Sequence, residues 1–357
     1  MPALIIDGEA RAAKIREQLA LEIEELKVWG KPPHLVALQA NDDPGSRIYV
    51  KNQQKDCEAV GIRYSIDQQP VNSTQAQLLA RIDEMNRDPS ITGIILQMPL
   101  PEGCDSRTLQ ARISPLKDAE GMCPANLGKV ILANSQMATA RRGKPKDYEK
   151  WVAESLAWAM PAPAPCTAVG AVDLLRATGI DLYGKHAVVV GHSEIVGKPV
   201  ALLLLAHFCT VTCCHIATAN LAEETRKADV LFVATGKAGF AFAAYQRRLA
   251  AWKKDPAKSP KPAVPDIAPL IKADMIKPGA IVIDIAINRL PKALDENGEP
   301  TLNAKGRPDM VTVGDVEFEK AKEIAGAITP VPGGVGPMTV ALLLRNVVEA
   351  AKIASRA

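Results

Sequence analysis

Between His186 and Leu205 the sequence runs HAVVVGHSEIVGKPVALLLL. An apolar strand enters Gly191, a short loop follows, and Gly197-Lys198-Pro199 opens an apolar helix. Glycines let backbone amides close on a phosphate oxygen, and a helix N-terminus adds unpaired N–H groups and a positive dipole end. Pro199 suits the first turn, where no intrahelical donor is needed. These are the parts of a pyrophosphate cradle. The spacing is not GxGxxG, however, so the loop alone reads equally well as a structural strand-to-helix turn. Cys209, Cys213, Cys214 and His215 form a second cluster of reactive types. TVTCCH is a β-branched run, and a strand sends Cys213 and Cys214 to opposite faces. With no second CxxC or HxxxH half-site, no metal centre is expected.

A cradle of this kind needs a sheet behind it. HAVVVG (186–191), TVTCCH (210–215), DVLFVATG (229–236) and AIVIDIAI (280–287) are four apolar runs separated by helical or loop segments. That pattern predicts a parallel sheet covered on both faces. An earlier α/β unit is expected from Leu4 to about Asn126. In it PHLVALQA (33–40) and ITGIILQMPLP (91–101) read as strands, the second closed by prolines. A helix is predicted from about Ser46, placed as its N-cap, to Ala59. Residues 135–164 are polar and basic and run into MPAPAPC, an extended connector. Residues 241–268 carry a short amphipathic helix and a Pro/Lys-rich loop. Both basic stretches are expected as solvated insertions.

The 357 residues are too many for one small core, so two domains are expected. Hydrophobic residues at 47% and charged residues at 23% are ordinary for a soluble protein, and aromatics at 4% leave the cores to aliphatic side chains. A net charge of +3 makes no case for nucleic acid. No apolar run approaches the ~20 residues that span a bilayer. The start, MPALIIDGEARAAKIREQ, reads as a strand and helix rather than a targeting peptide. Seven cysteines without framework spacing suggest reduced thiols and a cytoplasmic setting.

Several windows, in chain order, closely resemble the methylenetetrahydrofolate dehydrogenase/cyclohydrolase family. They are SRIYVKNQQKDCEAVGI, GIILQMPLP, SPLKDAEGMCPANLGK, PCTAVGAVDLL, the glycine loop, TVTCCH, IKPGAIVIDIAIN, GDV and ITPVPGGVGPMTVALLL. The resemblance spans nearly the whole chain outside the two insertions. It implies a two-domain α/β fold with a cleft between the domains. An N-terminal folate-side domain (1–150) would be completed by a C-terminal helix (335–357). A Rossmann-like, doubly wound NAD(P) domain (151–334) would carry the 241–268 insertion. It implies a homodimer. It also implies hydride transfer from 5,10-methylenetetrahydrofolate to nicotinamide, followed in most members by hydrolysis of the methenyl cation.

The departures matter as much as the matches. In the family's SxxYVxxK helix a catalytic Lys follows the Tyr by four residues; here Ser46 and Tyr49 are followed by Gln53. Lys51 and Lys55 are nearby, but each lies ~160° from Gln53 around a helix, while Tyr49 lies ~40° from it. Water activation needs a titrating group, and glutamine does not titrate. Hydride transfer mainly needs two rings held in line. The expected activity is therefore dehydrogenation with hydrolysis lost or weak. The alternatives are a bifunctional enzyme, a dehydrogenase for a related pterin carrier, and a non-catalytic pterin- or nucleotide-binding relative.

The resemblance also carries over Gln97, with Leu100 beside it in the LQMPLP window, and Asp118 as a catalytic-side carboxylate. Glu120 stands where the family has Asp, which keeps a carboxylate for the pterin's N–H donors one methylene further out. Gly333, Gly334, Pro337 and Thr339 form the loop expected to close on the folate, and Thr339 also on the cofactor. On the nucleotide side stand Thr167, Gly191, His192, Ser193, Ile195, Val196, Gly197, His215, Ala234, Thr235, Gly236, Ile287 and Asn288, the last two closing the IDIAIN strand; Gly170 shares the PCTAVG junction with Thr167. NADP-using members place donors where this chain has His192, Ile216 and Ala217. A dianionic phosphate needs charged or multiple donors, and an imidazole is ordinarily mostly neutral at pH 7. NAD is the expected nucleotide and NADP the alternative, although no acidic residue follows the strand to grip a ribose.

Overall fold

The computed structural model describes residues 2–28, 30, 32–132 and 163–356. Along the chain run β1 (Leu4–Ile5), α1 (Gly8–Val28), β2 (His34–Gln39), α2 (Pro44–Val60), β3 (Arg63–Gln68), α3 (Gln75–Arg87), β4 (Gly93–Gln97), α4 (Ser106–Arg112) and α5 (Pro124–Leu132). After residue 162 come α6 (Cys166–Ala177), β5 (His186–Val190), α7 (Gly197–Ala206), β6 (Thr210–Cys214), α8 (Leu221–Thr225), β7 (Val230–Val233) and α9 (Lys237–Lys254). The chain ends with β8 (Ile281–Asp284), β9 (Asn288–Pro291), β10 (Met310–Val313), α10 (Phe318–Ala321), β11 (Ala327–Ile328) and α11 (Val335–Arg356). No helix of the described residues is long and apolar enough to cross a membrane.

Two compact units result. One comprises Met1–Gly8, Asp173–Leu204 and Phe208–Gly336; the other comprises Glu9–Val172, Leu205–His207 and Pro337–Ala357. The second unit is built on a three-stranded parallel sheet in the order β3-β2-β4. Every residue of β2 is buried, because both faces of the sheet are covered. Leu35 and Ala37 pack with Leu342, Leu344 and Val347 of α11, while Val36 and Leu38 pack with Leu78, Ile82 and Met85 of α3. The shared register brings Gln68, Gln39 and Gln97 into one row at the strands' C-terminal ends.

The first unit is built on six parallel strands in the order β1-β11-β8-β7-β5-β6, with an antiparallel β9/β10 pair beside them. From β5 the chain moves to β6 on one side and then to β7 and β8 on the other. That reversal makes a topological switch point between β5 and β7, where ligands bind outside the strand ends in open α/β sheets.

Five local expectations differ from the structure. Leu4–Ile5 pairs in parallel with Ala327–Ile328 of the large sheet, not with the strands that follow it. The unit boundaries accordingly fall at residues 8/9 and 172/173 rather than near 150, and 133–162, with most of the 135–164 segment, lie outside the described residues. The N-cap of α2 is Asp43, whose carboxylate accepts from the Ser46 N–H at 2.7 Å. Pro44 opens the helix, so Ser46 falls inside its first turn. The IDIAIN run does not stay in one strand: β8 ends at Asp284, and Asn288 begins β9. Finally, the helix in the 241–268 segment is not short. It is the 18-residue α9, holding Phe242, Tyr245 and Leu249 against Leu290 of β9.

Asn346 of α11 ties the second unit together. Its Nδ2 donates to the Ala119 and Ala164 carbonyls at 3.0 and 2.8 Å, and its Oδ1 accepts from the Ala164 N–H at 3.2 Å. Asn346→Leu leaves the Ala164 N–H without this acceptor and the two carbonyls with only the weak Cys166 thiol as donor, and should cost about 2–4 kcal/mol in urea unfolding; a loss under about 0.5 kcal/mol would refute this role.

Candidate active site

In the second unit α2 lays Gln53 against the sheet with only 4% of its surface exposed, while Lys51 and Lys55 are exposed. The Gln53 Oε1 accepts two hydrogen bonds, from Gln97 Nε2 at 3.0 Å and from the Tyr64 hydroxyl at 2.9 Å. Three elements thus meet on one oxygen: α2 supplies the acceptor, β4 and β3 the donors. The Ser46 hydroxyl is buried with no hydrogen-bond partner among the described residues. Tyr49 lies in α2 by its backbone, and its side chain lies outside the described residues. Leu100 packs against the α3 side of the core. A neutral amide held in this way orients hydrogen bonds but moves no proton. Tyr64 carried no sequence signal, since it sits in the half-exposed strand RYSIDQ and reaches a residue on another element.

Asp118, expected on the catalytic side, lies inside the turn that carries it. Its carboxylate is fully buried and accepts from Gln110 Nε2 (2.9 Å), the Gly121 and Cys123 N–H groups (3.1 and 2.6 Å) and Asn126 Nδ2 (3.1 Å). Those donors make Asp118 the organiser of the 118–126 turn. Burial still pushes its carboxyl above the usual range, against the hydrogen bonds that lower it. Glu120, two residues on, is partly exposed at the surface of this turn. Burial of its carboxyl, with Asp118 nearby, pushes Glu120 up to about 7. Thr167 and Thr339 join through their hydroxyls at 3.2 Å in this same unit, and Pro337 also belongs to it.

The first unit gathers the other expected residues at the C-terminal ends of β5, β6, β7 and β8. Gly191 has φ 116°, and a Cβ on Gly197 would collide with the Gly191 carbonyl, so the loop closes only on glycine. Ser193 Oγ accepts from the Val196 N–H at 3.2 Å, shaping the entry to α7. His192 and His215 lie with ring centroids 5.1 Å apart, and His215 Nδ1 accepts from the Ala217 N–H. Ile195, Ile216 and Ile287 are exposed, Ile216 completely. Cys213 is exposed and Cys214 buried, on opposite faces of β6. Ala234 pairs back to Val190 across the switch point, its N–H 2.8 Å from that carbonyl. Gly8 N–H bonds the Gly333 carbonyl at 2.9 Å, and Gly334 packs so closely on Gly8 that no Cβ fits there.

Asp315, from the GDV window, was not singled out by sequence as a site residue. Its carboxylate accepts from the Thr235 N–H and hydroxyl, the Gly236 N–H and Asn288 Nδ2, at 2.5–2.9 Å. It therefore holds the β7–α9 loop and the start of β9 in one frame. Asn288 Oδ1 in turn accepts from the Gly239 N–H at 2.7 Å. Asp284, beside it, accepts from the Val316 and Ala286 N–H groups, and burial pushes its carboxyl up to about 7.

The family profile described as "Tetrahydrofolate dehydrogenase/cyclohydrolase, catalytic domain" matches residues 6–120. The companion "NAD(P)-binding domain" profile matches residues 165–247 and 265–355. The "Bifunctional protein FolD" of Bacillus subtilis is 42% identical over 352 residues, covering 99% of both chains. The crystal structure of the bifunctional methylenetetrahydrofolate dehydrogenase/cyclohydrolase from Campylobacter jejuni superposes with TM-score 0.75 at 35% identity, covering 98% of this chain and 99% of that one. The Trypanosoma brucei dehydrogenase-cyclohydrolase, solved with NADP and an inhibitor, gives TM-score 0.76 at 29% identity over the whole of both chains.

Glu120 gives this site a pH signature. The native carboxyl keeps its proton up to about 7, whereas an unfolded glutamate releases it near 4.5. The native state therefore binds more protons between these values, and stability falls as pH rises through that window. Glu120→Gln removes the ionisation. Relative to wild type it should gain about 1–3 kcal/mol at pH 8, a gain that closes below about pH 5. An equal difference at pH 5 and pH 8 in urea titrations would contradict the assignment.

Proposed function

Because the chain belongs to the tetrahydrofolate dehydrogenase/cyclohydrolase family, we propose that it oxidises 5,10-methylenetetrahydrofolate to the methenyl form with NAD and does not hydrolyse the product. The observation that carries this reading is Gln53, buried with its oxygen committed to Gln97 and Tyr64. Oxidation turns a neutral methylene bridge into a cation. An ammonium at position 53, at ~4 Å and an effective dielectric of ~20, would oppose that charge by about 4 kcal/mol. A neutral amide removes the repulsion and keeps a fixed polar wall beside the reacting carbon. The same amide cannot accept a proton from water, so the cation persists.

The first unit suits a dinucleotide. Gly191 and Gly197 open a close-approach loop at the switch point, and Asp315 holds Thr235 and Gly236 beside it. Bound there, the nicotinamide supplies the hydride acceptor. NAD is favoured over NADP because Ile216 is fully exposed and Ala217 brings no side-chain donor, with its N–H already given to His215. Glu120 is read as the carboxylate that meets the pterin's N–H edge, and the enzyme as a homodimer. The bifunctional reading stands second, favoured by the names of the Bacillus and Campylobacter relatives.

Product stoichiometry separates the two. With methylenetetrahydrofolate and NAD, methenyl product should accumulate one for one with reduced nucleotide. Methenyl that lags further behind than its decay in buffer alone explains would establish enzymatic hydrolysis. In the same assay kcat/KM for NAD should exceed that for NADP by at least about tenfold, a ratio worth about 1.4 kcal/mol; a ratio below one would reverse the nucleotide assignment.

A further inference from the structure

We propose that Tyr64 is a positioning residue that decides what position 53 can do, so that hydrolysis is blocked at two residues and not one. The inference rests on the dehydrogenase reading above. Tyr64 stands on β3 in register with Leu35, and its ring packs against the aliphatic cluster beneath α11. Its hydroxyl reaches Gln53 Oε1 from the side opposite Gln97, so one oxygen takes two donors. A 180° turn of the Gln53 amide would set its NH2 group against the NH2 of Gln97, donor on donor. The Gln53 oxygen therefore faces inward with its N–H end as the remaining polar face, and either amide can turn only together with the other.

The same geometry governs a lysine at this position. An ammonium has three donors and no acceptor. To fit, it would bond the Tyr64 hydroxyl oxygen and, once the Gln97 amide turned, the Gln97 carbonyl oxygen. Hydrogen bonds accepted from the charged form stabilise it, so the amine would stay protonated and unable to take a proton from water. Removing the Tyr64 hydroxyl withdraws one acceptor and leaves an apolar ring in its place, which favours the free amine. Position 64 thus sets whether position 53 is a pinned donor or a working base.

The test uses four full-length proteins: wild type, Tyr64→Phe, Gln53→Lys and the double variant. Hydride transfer and hydrolysis of added methenyltetrahydrofolate are measured separately, with thermal melting as a check on folding. Tyr64→Phe keeps the packed ring, and its kcat for hydride transfer should fall about 3- to 10-fold, the scale of one lost hydrogen bond, with the folate KM little changed. Gln53→Lys should hydrolyse at most a few-fold faster than buffer, and the double variant at least about tenfold faster than Gln53→Lys, within the range of general acid–base catalysis. That dependence on both residues is a coupling that a merely structural tyrosine does not give. The proposal is overturned if Gln53→Lys alone hydrolyses as fast as the double variant, or if Tyr64→Phe lowers the melting temperature with no change in kcat. Rapid hydrolysis by the wild type would instead defeat the dehydrogenase-only reading, and Tyr64 would then stand or fall on the kcat of Tyr64→Phe.

Discussion

Gln97 and Tyr64 both donate to the Gln53 carboxamide oxygen, at 3.0 and 2.9 Å, from strands on either side of β2. A buried amide with a committed oxygen has one orientation and no titration. Each bond is modest, about 1 kcal/mol, but a turned amide would strand a buried donor as well. The chemistry open to the site follows from that constraint. On the reading proposed above, it favours a step that creates positive charge on the substrate and disfavours one that must deprotonate water.

The sheets place this constraint and the nucleotide loops by the same means. In the main sheet of each unit the strands are parallel, and Gln97 and the glycine loop stand at or beyond strand C-terminal ends, whereas Tyr64 is the second residue of β3. Gln97 is the last residue of β4, while Gly191 and Ala234 directly follow β5 and β7. Carboxylates then fasten the loops: Asp118 holds the 118–126 turn and Asp315 the β7–α9 loop, each through several donors. Glu120 differs from both: burial, with Asp118 nearby, pushes its carboxyl up to about 7.

Much of this was legible because it is local. Continuous β-branched runs identify strands buried on both faces, and β2, β5, β7 and β8 all lie within the runs read from sequence. The glycine loop is visible as a strand, two glycines and a helix. The α2 cap was misplaced because Asp43 and Ser46 are both good caps, and Pro44 decides between them. What stayed hidden is non-local. Asp315 meets its Thr235 and Gly236 donors across 80 and 79 residues, and Tyr64 meets Gln53 across a helix-to-strand turn. Periodicity cannot reveal such pairs; the departure at Gln53 gave the expectation of weak or lost hydrolysis but not the tyrosine that holds its amide.

The central claim is that a neutral, pinned amide leaves water unprimed. Its most direct measurement is the decay of pre-formed methenyltetrahydrofolate at neutral pH as a function of wild-type enzyme concentration, without nucleotide. The decay constant should stay at the buffer value however much enzyme is added. A decay constant that climbs in proportion to enzyme would contradict it.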